Sequence, residues 1–143
     1  VPQHDAAMEL RVMMPDPNDA VNQPGCFAAG TLISLADGSF RPIEQMAVGV
    51  GVMSYDAKQW SGAIERLAGF YNQFPKQSSM APNALYMALR SELATDDVDS
   101  ARALYETMLS DFPKHKYTGK GALRIYTKVK DDYKASLAAP HQT

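Results

Sequence analysis

Few side chains in this sequence could do nucleophilic or metal chemistry. They are the lone cysteine, Cys26, the scattered histidines His4, His115 and His141, and an acidic cluster, Asp96, Asp97 and Asp99. One thiol cannot close an internal disulfide, and histidines this far apart lack the ligand spacing of a zinc site. Cys26 is therefore read as a nucleophile or as a small buried apolar residue, since free cysteine is among the most buried types. Acting as a nucleophile would require a base or a polarising neighbour, because a thiol near its free pKa is mostly protonated. The acidic cluster lacks the regular oxygen-ligand spacing of a calcium loop. It stands where a helix N-terminus takes carboxylates against its positive end, so capping is expected there. No metal and no cofactor are expected.

The elements that position these groups fall within bounds set by composition. The chain has 143 residues, the size of one domain or of two small modules sharing a core. Apolar residues make up 45% and charged residues 21%, which excludes global disorder. A formal net charge of −2 gives no long-range attraction to nucleic acid or anionic lipid, so neither is an expected partner. No apolar run approaches the roughly 18 residues of a membrane helix, and no basic, apolar leader opens the sequence.

Residues 1–25 hold Pro2, Pro15, Pro17 and Pro24 and read as an extended lead-in. From 26 to 56 the pattern is β. "TLISLADGSFRPIE" places two apolar runs around Asp37-Gly38, a dipeptide suited to tight hairpins, and Pro42 marks an edge or an end. "VGVGVMSYD" then reads as a further strand with glycines at bends or close approaches. From 57 to 137 the pattern is helical, with a tail at 138–143. Ile64, Leu67, Ala68, Tyr71 and Phe74 form an amphipathic stripe that Pro75 ends. Three further helical runs follow: "APNALYMALRSELA", "TDDVDSARALYETMLSDF" and "GALRIYTKVKDDYKASL".

These four runs repeat. A shift of 38 positions lays Ala63 on Ala101, Phe74-Pro75-Lys76 on Phe112-Pro113-Lys114, and Ala84-Leu85 on Ala122-Leu123. Each unit has an apolar face that it cannot bury alone, so the units are expected to stack, with Leu85 and Leu123 turned inward. Trp60 is expected as a packing anchor at the β-to-α junction. His115, in a turn that is polar in both copies, is expected to be solvated between Lys114 and Lys116.

"AIERLAGFYNQFPKQS" and "ARALYETMLSDFPKHK", with the inner runs "NALYMAL" and "GALRIYT", resemble tetratricopeptide repeats over roughly residues 60–130. The nearest branch is that of the Tol–Pal coordinating protein and the outer-membrane barrel-assembly lipoprotein. This resemblance implies a mainly α fold of two helix pairs, about four helices, whose concave face holds a protein or peptide segment. It implies no catalysis, and it suggests a bacterial envelope, periplasmic or secreted setting. Tyr71, Tyr86, Arg90 and Tyr126 are the expected groove residues, with the remaining aromatics mostly in the core. Nothing in these patterns sets an oligomeric state.

Cys26-Phe27, Gly30-Thr31, Asp37-Gly38, Pro42-Ile43-Glu44 and Val48-Gly49 resemble the first block of the Hint fold of inteins, hedgehog autoprocessing domains and pretoxin modules. The resemblance implies that Cys26 attacks the carbonyl of Gly25 in an N-to-S acyl shift, with Thr31 beside it in the block. It also implies that His141, before Gln142 and Thr143, takes the place of the terminal histidine. The family's Thr-x-x-His is absent, and Val50 stands where its Gly-Asp would place a carboxylate. Two readings follow. The preferred one is a non-enzymatic interaction module with a helical-repeat groove, carrying an incomplete Hint-like segment. The alternative is a self-processing element that acts through Cys26, completed by a complementary fragment.

Overall fold

The computed structural model describes residues 6, 32–34, 40–74 and 80–138 of the chain. Two three-residue strands, β1 (Leu32–Ser34) and β2 (Phe40–Pro42), pair antiparallel, with Leu32 opposite Pro42 and Ser34 opposite Phe40. β2 stops at Pro42, which has no amide hydrogen to extend a ladder. Beyond it the described chain is helical: α1 (Ile43–Asp56), α2 (Trp60–Gln73), α3 (Ala81–Ala94), α4 (Val98–Asp111) and α5 (Lys116–Ala138). The protein is mainly α.

Several sequence expectations need correction. "VGVGVMSYD" is not a strand but lies inside α1. Val48 and Val52 are buried, and Tyr55 packs against the core, at the i, i+4, i+7 spacing of a helix. Gly51 allows this packing: a Cβ there would lie 2.7 Å from Leu67 Cδ2 on α2, so the contact needs a residue without a side chain. The last helix begins at Lys116, ahead of the "GALRIYTKVKDDYKASL" run, and Gly121 sits within it against Leu89 of α3. Leu123 is not turned inward; it is 62% exposed, whereas Leu85 is fully buried.

The stripe on α2 is rotated from its expected setting. Ala63, Leu67, Phe70 and Phe74 are buried, while Ile64, Ala68 and Tyr71 flank them at half burial. Phe70 takes over because its ring meets Phe74 at 5.3 Å, joining two large apolar groups on one side.

The 38-residue period holds at the level of backbone hydrogen bonds, and it pairs the helices differently from the sequence expectation. α1 and α3 have equal lengths and match at that shift, as do α2 and α4. After α1, Lys58 takes φ 57° and its amide donates to the Tyr55 carbonyl at 3.0 Å, while the Gln59 amide donates to Ser54 at 2.9 Å. After α3, Asp96 takes φ 62°, with its amide donating to Leu93 at 3.1 Å and that of Asp97 to Glu92 at 2.9 Å. Both are Schellman turns, in which a left-handed residue satisfies the open carbonyls of a helix end. The second helix of each unit then ends on an aromatic, Phe74 or Phe112, whose amide still donates one turn back. A unit is thus α1–α2 or α3–α4, and α5 occupies the place of a third first helix.

α3 is the centre of the core. It packs against α1, α2, α4 and α5, and Ala81 to Leu89 are buried all the way round. α5 leans on α3 and α4. Its inner side brings Tyr117, Thr118, Gly121 and Ile125 to the core and leaves its outer side uncovered among the described residues.

Candidate functional site

Cys26, Thr31 and His141, the groups required by the self-processing reading, lie outside the described residues. Among the described residues no group of three His, Cys, Asp or Glu side chains is placed to hold a metal ion. No described helix is long and apolar enough to cross a membrane. The acidic cluster is used in capping and pairing. Asp97 Oδ1 accepts from the Ser100 amide at 3.1 Å at the start of α4, and Asp96 pairs with Lys128 of α5.

The most developed polar surface lies between α3 and the start of α5. Tyr86 of α3 stacks on Tyr117 of α5 with ring centroids 4.8 Å apart. The Arg124 Nε donates to the Tyr86 hydroxyl at 3.1 Å, and the Arg90 guanidinium carbon lies 5.9 Å from the centre of the same ring. Lys116 and Lys120 bring their ammonium groups to 5.2 and 5.1 Å from the Tyr117 ring. Four cations therefore gather around two stacked aromatic rings. Arg90, Lys116 and Lys120 lie over the ring faces, where the aromatic quadrupole attracts a cation, and Arg124 is held at the edge by its hydrogen bond to the Tyr86 hydroxyl.

His115 belongs to this cluster, not to solvent. Its Nδ1 accepts from the Tyr117 amide at 3.1 Å, and its ring stacks on that of Tyr117 at 5.6 Å. The neighbouring sequence shows why: a helix start with no Ser, Thr, Asp or Asn at hand takes a ring nitrogen as its cap acceptor.

The four expected groove residues do not share one surface. Tyr86 and Arg90 sit together, although Tyr86 itself is buried beneath the cluster. Tyr71 of α2 donates its hydroxyl hydrogen to Asp111 Oδ2 and packs edge-on to Phe112, tying the ends of α2 and α4 together. Tyr126 is 65% exposed on the outer side of α5. It is two residues from Arg124, or about 200° away around the helix. Arg124, Lys116, Lys120 and His115 are the members that the sequence reading missed. The available signal was the density of basic residues around "HKYTGKGALR", which becomes a site only once α5 is laid against Tyr86. Trp60 meets Tyr55 edge-on at 5.7 Å, closing the turn from α1 to α2.

A buried carboxyl stands apart from this surface. Glu92, at the end of α3, is 6% exposed and its Oε2 has no hydrogen-bond partner among the described residues. Burial raises its pKa to about 7, and the nearby Asp97 carboxylate adds to the rise. In the first unit the matching position is Ser54, whose hydroxyl instead accepts from Arg66 Nη1 of α2 at 2.8 Å.

Comparison of the chain with protein families, with curated proteins and with solved structures finds no match.

Proposed function

We propose that the protein is a non-enzymatic interaction module of tetratricopeptide-like helix pairs, which holds an acidic segment of a partner protein against the surface between α3 and α5. The observation that carries this reading is the repetition of a whole helix–turn–helix unit, down to its left-handed turn residues and cap bonds, at 38 positions. Such units stack to bury a shared core and leave an ordered surface made by successive first helices. On that surface Arg90, Arg124, Lys116 and Lys120 favour carboxylates, and the two buried, stacked tyrosines beneath them fix where those cations stand.

The test uses a fluorescent extended peptide rich in Asp and Glu, with a same-length Lys-rich peptide as control, titrated against the full chain. The acidic peptide is expected to bind, to weaken as salt is raised, and to be lost in the Arg90→Ala, Arg124→Ala double variant. Equal binding of both peptides, or binding untouched by the double variant, would overturn the proposal. A chain extended upstream of Cys26 is expected to keep its intact mass with and without added thiol. Loss of everything before Cys26, abolished in Cys26→Ala, is the outcome of the self-processing alternative.

A further inference from the structure

The outer side of α5 carries Leu123, Tyr126, Lys130, Tyr133 and Leu137 at spacings of three and four, so they form one stripe along the helix. Leu123, Tyr126, Tyr133 and Leu137 are all exposed by 62 to 65%. The repeat shows what this side does elsewhere. At a shift of 38, Leu123, Tyr126 and Lys130 fall on Leu85, Ala88 and Glu92 of α3, which are exposed by 0, 0 and 6%. In the first unit the side that includes position 54 meets the second helix of the pair: Ser54 touches Arg66, and Gly51 touches Leu67. α5 is a first helix that packs on α4 of the preceding unit, and its outer side carries no second helix of its own pair among the described residues.

We infer that this face of α5 docks an acidic amphipathic helix of a partner protein, seated as α2 is seated on α1. Register and charge define the occupant. α2 presents Ala63, Leu67 and Phe70 inward, an i, i+4, i+7 pattern, and places Arg66 opposite position 54. At the matching position of α5 stands Lys130, so the occupant carries apolar residues at i, i+4 and i+7 and a carboxylate at i+3. Charge agrees with this choice. Lys130 sits in the stripe and Lys134 one turn beyond it, whereas α4, which lies on α3, holds three acidic and one basic side chain, a net −2. A second copy docking through the same stripe would set Lys130 of each chain within the same basic surface, which opposes self-pairing. The inference rests on the helix-repeat reading but uses the side of α5 away from Arg124.

The probe is a synthetic α2 peptide, Trp60–Gln73, stapled between its exposed positions 61 and 65 because an isolated helix this short is marginal in water. It is made with Arg66 or with Arg66→Glu and titrated by fluorescence anisotropy against the full chain. The Glu form is expected to bind about fivefold to tenfold more tightly than the Arg form, and Lys130→Glu in the chain to reverse the order. The Tyr126→Asp, Tyr133→Asp double variant is expected to bind neither; both sites are exposed, so its circular dichroism stays unchanged. Arg90→Ala with Arg124→Ala is expected to leave peptide docking intact, so this inference and the groove reading fail separately. No binding of either peptide at about 100 µM, or an order that Lys130→Glu does not reverse, would overturn the inference. Concentration-dependent dimers in sedimentation that Tyr126→Asp dissolves would overturn it in favour of a second copy.

Discussion

Replacing Glu92 by Gln should remove the loss of stability that rising pH causes between about 4.5 and 7. In the folded chain its carboxyl is raised from 4.5 to about 7, first by burial and then by Asp97. The native state therefore holds a proton that the unfolded chain has released once the pH passes 4.5. The stabilising contribution of that proton is complete below 4.5, falls as pH rises towards 7, and is gone above it. At about 1.36 kcal/mol per tenfold difference in proton affinity, the loss over this window is about 3 kcal/mol. For a chain of 143 residues that corresponds to roughly 10 °C in Tm. It is also a large share of the 5–15 kcal/mol typical of whole domains.

Gln keeps the shape and a hydrogen-bonding head but cannot ionise. Urea unfolding of both chains at pH 5, 6, 7 and 8 measures the difference directly. The wild type is expected to lose about 2.5 kcal/mol relative to Glu92→Gln between pH 5 and 8, most of it below pH 7. Using the difference between chains cancels every titration that the two proteins share. Parallel stability curves across the whole range would refute the reasoning, since they would mean that Glu92 is solvated and ionised in the fold.

Lys58→Gly should raise stability by about 0.5–1 kcal/mol, seen as a higher urea midpoint at unchanged slope, because Lys58 holds a left-handed φ of 57° that glycine adopts freely. A lower midpoint would show that the turn after α1 is not left-handed. Gly51→Ala should cost about 1–3 kcal/mol, because the new methyl would sit 2.7 Å from a Leu67 side chain that is fully buried and has no room to retreat. Leu85→Asp should unfold the chain by placing an unpaired charge in the core, at more than about 4 kcal/mol, while Leu123→Asp should leave helix content and melting unchanged. Equal loss of circular dichroism in both variants would place Leu123 in the core and undo the assignment of α5.

The period of the fold was legible because "FPK" and the Ala-Leu step recur at a fixed distance, and the structure keeps that distance down to single cap bonds. Which helices form a unit was less legible. "VGVGVMSYD" alternates small and β-branched residues, and its local preference points to a strand. Its helical signal, Val48, Val52 and Tyr55, is thin, and it counts only because α2 offers Leu67 to the gap left by Gly51. A contact between elements overrode a local propensity, as it commonly does for short β-branched runs. The candidate site was harder still. Arg90 and Tyr86 lie one helical turn apart and so were found together, but Arg124 joins them through a contact across 38 residues that no local pattern encodes.

The same period explains why Leu123 was misplaced, and the error has a physical lesson. Ala84-Leu85 and Ala122-Leu123 are the same two residues on the same helix face, yet one leucine is fully buried and the other 62% exposed. A repeat copies side chains from unit to unit, but it copies burial only while another unit follows. On the outer side of α5, which no described helix covers, the repeated apolar residues are exposed. Along α5 Lys130 stands at the position of Glu92 and Ser54, Tyr126 is larger than Ala88 of α3, and Tyr133 and Leu137 carry the stripe beyond the point at which α3 ends. A face being converted to a solvated end would lose such groups. This one gains them around a single charge, which is the composition of a contact surface with a preferred sign of partner.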